Sequence, residues 1–321
     1  MTEWNNDLAR IAIPTPFAVG DVNAFVLKGD VLTLIDTGIK TPESEEAIKA
    51  GLKALGLTMR DIEQIIITHH HVDHVGGVDF FPENIPFLGH TNNNPWLENS
   101  EQFTGEYVEF FLALAKEMGV PDNYRSLFGR LKNNLKVHSS RVLTGTLKEG
   151  DEIPGHPGWT VLETPGHAES HIVLFREEDG AMFGGDLLLA KVSPNPLIEP
   201  PMEEGQSRPK SQLLLNQSLR KIAGLPLGVV YAGHGNPITD PKPLIAKRLQ
   251  SQHERAMRVY GYLKQQPTTV FEMTKILFPK KYENQFGLTL SETLGQFDYL
   301  MDSGLIFGEE TPDGTIYHTK Q

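Results

Sequence analysis

The chain of 321 residues contains no cysteine. That absence excludes disulfides, thiolate metal ligands and cysteine nucleophiles together, and it fits a reducing compartment. Long apolar runs are missing too, and no stretch approaches the ~18 apolar residues a membrane-spanning helix needs. The opening MTEWNNDLAR lacks a basic region followed by an apolar one, so no secretory signal is expected and the cytoplasm is the expected location. Positive charge is in deficit: the formal net charge is −12, which argues against a nonspecific nucleic-acid coat or an anionic membrane surface as the default partner. No G-x-S-x-G elbow, H-E-x-x-H helix or Walker-type phosphate loop occurs, which removes three common catalytic schemes. What is present, 39% hydrophobic and 22% charged residues, is an ordinary globular composition, long enough for one large domain and a satellite.

The first half alternates strand and helix signals. VNAFVLKGDVLTLIDTG reads as two strands meeting at Gly29-Asp30, with Val22, Ala24 and Val26 alternating with more polar neighbours. A helix follows, with Thr41 as N-cap, Pro42 in its first turn, Ile48, Leu52 and Leu55 on its apolar side and Gly56 as its stop. IEQIIIT then forms a short buried strand, and the whole is the layout of a layered α/β domain. Residues 91–137 interrupt this rhythm with two helical patterns, GEYVEFFLALAKEMGV and NYRSLFGRLKNNL; an amphipathic packing helix is expected, with a substrate wall as the alternative. Strands resume in RVLTGTLKEGDEI, WTVLETPGH, HIVLFREEDGAMFGGDLLL and GVVYAGHG, with a Pro-rich loop over 191–208 and a helix around SQLLLNQSLRKIAG. After GNPITDPKPL come three helical segments and a hairpin, the outline of a small winged-helix module over 243–321 behind a catalytic domain over 1–240.

Four histidines and an aspartate occupy positions 69 to 74 in IIITHHHVDHVGG. A loop leaving a buried strand can turn His69 and His71 to one side, and a tight turn then adds Asp73 and His74. Imidazole and carboxylate suit zinc, iron or manganese when no thiolate is available. Crowding such groups without a cation costs desolvation and protonation energy. Three more strand ends carry a ligand-type residue against glycine: His167 in TPGH, Asp186 in GGD and His234 in GHG. Any one could be a turn residue. Together they point to a metal centre.

These elements, with Asp36 in LIDTG and THHHVDH as a T-H-x-H-x-D-H pattern, make the chain similar to a metallo-β-lactamase-fold metallohydrolase over roughly residues 10–240. The tail resembles the winged-helix domain of the LACTB2-like branch. The resemblance implies a four-layer αββα sandwich with two divalent ions, zinc first, iron or manganese as alternatives. It assigns His69, His71 and His167 to one ion, Asp73, His74 and His234 to the other, and Asp186 as the bridge. Asp36 would orient ligands by hydrogen bonds. His70, at the variable position, would point away, and His171 would give packing or orienting support. His90, His138, His156, His253 and His318 match no motif.

In this scheme two ions lower the pKa of a shared water far below ~15.7, supplying a bridging hydroxide, with Asp73 helping to protonate the leaving group. A small ester, thioester or lactone is the leading substrate class, as in glyoxalase-II-like relatives. The second reading is a metal-dependent endoribonuclease or phosphodiesterase. It draws on the tail and on nine Lys/Arg against two Glu between Lys242 and Lys281, although charges that merely solvate the helices are preferred. A mononuclear iron persulfide dioxygenase and a noncatalytic binding module rank lower. No membrane partner is expected, and a homodimer is compatible.

Overall fold

Seven strands, adjacent in chain order, build the first sheet: β1 (Trp4–Asn5), β2 (Leu8–Ile13), β3 (Val22–Leu27), β4 (Thr33–Ile35), β5 (Gln64–Ile66), β6 (Phe87–His90) and β7 (Gly145–Leu147). The computed structural model describes residues 2–125, 139–203 and 205–320. Strands β1 to β4 pair antiparallel, and β4 to β7 run parallel. The parallel step from β4 to β5 is made by helix α1 (Pro42–Ala54), which begins as expected: the Thr41 side chain accepts from the Ser44 N–H at 3.2 Å, and Pro42 opens the first turn. A second sheet holds β8 (Trp159–Glu163), β9 (Ile172–Arg176), β10 (Ala181–Gly185) and β11 (Val230–Ala232) in the order β11-β10-β9-β8.

The sheets face each other through Phe25, Leu27, Ile35 and Ile66 on one side and Trp159, Val161, Ile172, Leu174 and Phe183 on the other. Ile48 and Leu52 of α1 cover the outside of the first sheet. The outside of the second is covered by Leu215, Leu219 and Ile222 from a later helix (Ser211–Ala223). The molecule is therefore the αββα sandwich that the resemblance implies. Being covered on both sides also explains a departure from the expected alternation: all six residues of β3 are buried, because neither face of this strand meets water.

The other helices are α2 (Val72–Val75), α3 (Asn94–Glu98), α4 (Glu101–Glu117), α5 (Asp122–Arg125), α6 (the Ser211–Ala223 helix), α7 (Pro241–Gln265), α8 (Val270–Leu277) and α9 (Phe286–Asp302). A hairpin, β12 (Ile306–Thr311) with β13 (Gly314–Thr319), ends the chain. The expected helix over Asn123–Leu135 is described only as α5, and its remainder, with His138, lies outside the described residues. Helix α4 meets the first domain through Trp96, which Phe103 and Tyr107 contact. Its buried Tyr107, Phe111 and Leu114 also share one core with Ala256, Val259 and Leu263 of α7, Phe271 of α8 and Leu294, Phe297 and Leu300 of α9. Each of these helices has one apolar stripe, and they bury it mutually. This core crosses the boundary expected near residue 240. Among the described residues no helix is long and apolar enough to cross a membrane.

Candidate metal centre

Five strands, β4, β5, β8, β10 and β11, release loops at one edge of the sandwich. Behind β4 stands Asp36; behind β5 come Thr68, His69, His70 and His71, and then α2 with Asp73 and His74. The loops after β8, β10 and β11 bring His167, Asp186 and His234. All seven expected ligand residues meet there. Ligand atoms of His69, His71 and His167 lie within 4.8 Å of one another, as do those of Asp73, His74 and His234, and a third group, His69, His74 and Asp186, joins the two.

The ring nitrogens divide by role. The Nδ1 atoms are held from outside: His74 by Asp36 Oδ2 at 2.8 Å, His167 by the Asn195 carbonyl at 2.9 Å, His234 by the Asp21 carbonyl at 2.9 Å and His69 by Thr68 Oγ1 at 3.0 Å. A carbonyl or carboxylate only accepts, so in His74, His167 and His234 Nδ1 carries a proton and Nε2 is the nitrogen that turns inward. These three Nε2 atoms, His69 Nε2 and Asp186 Oδ1 are buried without a hydrogen-bond partner. Inside the cluster His74 Nε2 stands 3.6 Å from Asp186 Oδ1, while His167 and His234 Nε2 stand 3.6 and 3.5 Å from Asp186 Oδ2. His234 Nε2 is also 3.4 Å from Asp73 Oδ2. Two ligand atoms about 2.1 Å from one tetrahedral cation stand about 3.4 Å apart. The donor set and its orphaned atoms therefore fit divalent ions.

Asp36 anchors this arrangement as the sequence suggested. Its Oδ1 accepts the Thr68 N–H at 2.8 Å and its Oδ2 the Thr68 hydroxyl at 2.9 Å, so one carboxylate orients His74 directly and His69 through Thr68. It does so from a left-handed backbone, φ 58°, a conformation that Asp tolerates better than most residues. Glycine supplies clearance at two points. A Cβ on Gly233 would clash with Asp186 Oδ1 and lie 2.8 Å from His74 Cε1; one on Gly185, at φ 45°, would lie 2.7 Å from His171 Nε2.

Without a cation the charges balance internally. Burial opposes protonation of His74, yet the Asp36, Asp186 and Asp73 carboxylates raise its pKa well above the ordinary value. Burial likewise opposes ionisation of Asp186, but His74, His234 and His167 hold its carboxyl far below the usual range. His69 is pushed well down, first by burial and then by its neighbouring imidazoles. Such a cluster exchanges protons for metal.

His171 gives support, as expected. Its Nε2 accepts the Asp186 N–H at 3.0 Å and its Nδ1 bonds Thr164 Oγ1 at 2.8 Å; burial drives its pKa down to about 3, so it stays neutral. His70 turns away from both trios, stacking on Trp96 at 4.1 Å with Nδ1 2.9 Å from Ser170 Oγ. Unanticipated residues complete the surroundings: Asp21, Thr68, Asn195 and Glu199. Glu199 is a buried carboxylate whose Oε1 lies 3.6 Å from His70 Nε2. Burial lifts its pKa to about 8. Its one sequence signal is an acid flanked by apolar residues and prolines in PLIEPP.

The chain belongs to the metallo-beta-lactamase superfamily, whose family model matches residues 18–234. It is 44% identical over 294 residues, 92% of either chain, to the probable metallo-hydrolase YqjP of Bacillus subtilis. It is 26% identical over 253 residues, 78% of this chain and 68% of the relative, to the beta-lactamase-like protein 2 homolog of Caenorhabditis elegans. Weaker similarity reaches an atrochrysone carboxyl ACP thioesterase of Aspergillus terreus, 25% over 246 residues covering 76% of this chain and 58% of that one. A hydroxyacylglutathione hydrolase of Chelativorans is 28% identical over 216 residues, 66% of this chain and 62% of that one. Among solved structures, a metallo-beta-lactamase family protein of Thermus thermophilus superposes with a TM-score of 0.80 at 27% identity, covering 98% of this chain and 99% of that one. The chain is a metal-dependent hydrolase.

Proposed function

We propose that the chain is a dinuclear hydrolase of a small carbonyl substrate: an ester, thioester or lactone. His69, His71 and His167 would hold one ion, Asp73, His74 and His234 the other, and Asp186 would be shared between them. Two ions there, zinc by ligand type with iron or manganese as alternatives, would bring a shared water's pKa from ~15.7 towards ~7 and polarise a carbonyl oxygen. The chain's own groups do the rest. Asp36, Asn195 and Asp21 keep a proton on the outer nitrogen of three histidines, so the inner nitrogen is the one that faces the ions and gives up its proton to them. His171 holds the backbone of Asp186 in place, and Asp73 carries a proton to the leaving group.

The observation that carries this reading is the set of four buried, unpartnered Nε2 atoms facing two carboxylates. The carbonyl preference draws on the thioesterase and hydroxyacylglutathione hydrolase relatives. The nuclease reading is weaker, because part of the basic run is already engaged: Arg248 donates to the Leu189 and Ala190 carbonyls, Arg255 pairs with Glu292, and Lys275 with Glu272. The test is a substrate panel of thioesters, lactones, simple esters and single-stranded RNA, run on protein of measured metal content. Metal-dependent thioester or lactone turnover supports the proposal. RNA cleavage with affinity falling steeply as salt rises would replace it with the nuclease.

A further inference from the structure

The Pro-rich segment 191–208 reaches the metal centre from behind. The Asn195 carbonyl accepts from His167 Nδ1 at 2.9 Å. Glu199 Oε2 accepts the N–H of Glu169, two residues beyond His167, at 3.0 Å. The other Glu199 oxygen is buried without a hydrogen-bond partner, 3.6 Å from His70 Nε2, and the Glu199 carboxylate has an oxygen within 4.8 Å of a ring nitrogen of His71. One short segment thus braces both histidine loops.

That segment is fastened from the far side by α9. The Asn195 side chain donates to the Leu288 carbonyl at 2.9 Å, and the Ile198 N–H donates to Ser291 Oγ at 3.2 Å. Asp298 takes both arms of Arg208 at 2.8 and 2.7 Å, in a largely buried ion pair. Positions 288, 291, 295 and 298 recur at helical spacing and form one face. On it Gly295 lets the backbones approach, since a Cβ there would stand 2.9 Å from Gln212 Cβ and 3.4 Å from Pro196 Cγ. The contacts are fixed and directional, more than packing alone requires.

We propose that α9 is the positioning element of the metal centre, acting through Asn195 and Glu199 on the orientation of His167 and of the His69–His71 loop. This rests on the reading of His167 and His71 as metal ligands. It gives the C-terminal helices a role in metal affinity that needs no nucleic acid. Asn195 and Glu199 are positioning residues; neither belongs to the two ligand trios.

The experiment uses the full chain, stripped with chelator, titrated with zinc against a chromophoric competitor and, separately, loaded with cobalt(II) for its visible spectrum. Glu199→Gln keeps the size and an acceptor for the Glu169 N–H but turns the oxygen beside His70 Nε2 into an amide NH₂; Asn195→Ala keeps the carbonyl and cuts its tie to Leu288. Both variants should still take up two ions, bind zinc about 10- to 100-fold more weakly, and shift the cobalt d–d bands. Wild-type protein without stoichiometric zinc would overturn the reading of the site and this inference with it. Two equivalents in wild type, with both variants within twofold in affinity and unchanged in spectrum, would overturn the inference alone. A third equivalent that disappears in Glu199→Gln would also overturn it, making His70, His71 and Glu199 a cation site. If Glu199→Gln fails to fold, Asn195→Ala, at a half-buried side chain, decides.

Discussion

Replacing Asp36 by Asn tests how the chain prepares its histidines. The change is nearly isosteric, and Asn adopts the required left-handed backbone, φ 58°, as readily as Asp, so backbone strain does not confound it. In the wild type one carboxylate accepts from His74 Nδ1 at 2.8 Å and from the Thr68 N–H at 2.8 Å. An amide has only one accepting atom. Whichever way it is turned, its NH₂ faces a donor, either the Thr68 N–H or the proton on His74 Nδ1. The easiest relief is for His74 to move its proton to Nε2, which removes the lone pair a cation needs. Loss of such an orienting partner weakens metal binding by about 10- to 100-fold, or about 1.4–2.7 kcal/mol. The metal-free variant also loses a buried charge-assisted hydrogen bond, worth about 1.5–3 kcal/mol. Zinc competition titration and thermal melts with and without zinc read the two losses separately, and nitrogen NMR of His74 reads the tautomer. Wild-type affinity with the proton still on Nδ1 would refute the reasoning.

Other consequences follow from the same geometry. Gly233→Ala should abolish stoichiometric metal uptake by elemental analysis while the circular dichroism stays that of a folded protein, since its Cβ collides with Asp186 and His74. The pKa of His74 is raised in the folded, metal-free protein, so its contribution to stability is complete below ~6.5 and is lost as pH rises through the raised value. That of Asp186 is lowered, so its contribution is present above ~3.9 and is lost as pH falls through the lowered value. Chelated protein should therefore melt at a lower temperature as pH climbs through the His74 titration, while zinc affinity rises, because that proton must leave; melts and zinc titrations across the pH range check both signs. Truncation after residue 240 should give aggregated protein by size-exclusion chromatography, because it uncovers Trp96, Tyr107, Phe111 and Leu114. A soluble, monomeric 1–240 fragment would contradict the shared core.

The metal centre was legible because its chemistry is local in sequence. THHHVDH, TPGH, GGD and GHG each end a strand, and the ligand type is set by the residue itself. Helix α1 was equally legible through Thr41, Pro42 and Gly56. Strands β1, β2 and β6 carry little local signal: WN, LARIAI and FLGH are short, and only their partners in the sheet make them strands. The burial of both faces of β3 is likewise tertiary. Asn195 and Glu199 could not be read as orienting groups, because one acts through a backbone carbonyl and the other through a fold that brings it beside a loop some 130 positions earlier. The site of α4 also escaped, since its Tyr107–Phe111–Leu114 stripe says that it packs, not upon what.

The account stands on two cations sharing Asp186 between two sets of histidines. Anomalous diffraction at the zinc edge from crystals of the metal-loaded chain tests that directly. Two peaks about 3.5–4 Å apart are expected, one beside His69, His71 and His167 and one beside Asp73, His74 and His234, with Asp186 between them. No peak among these residues, or a single one with Asp186 bound to it alone, would contradict the account.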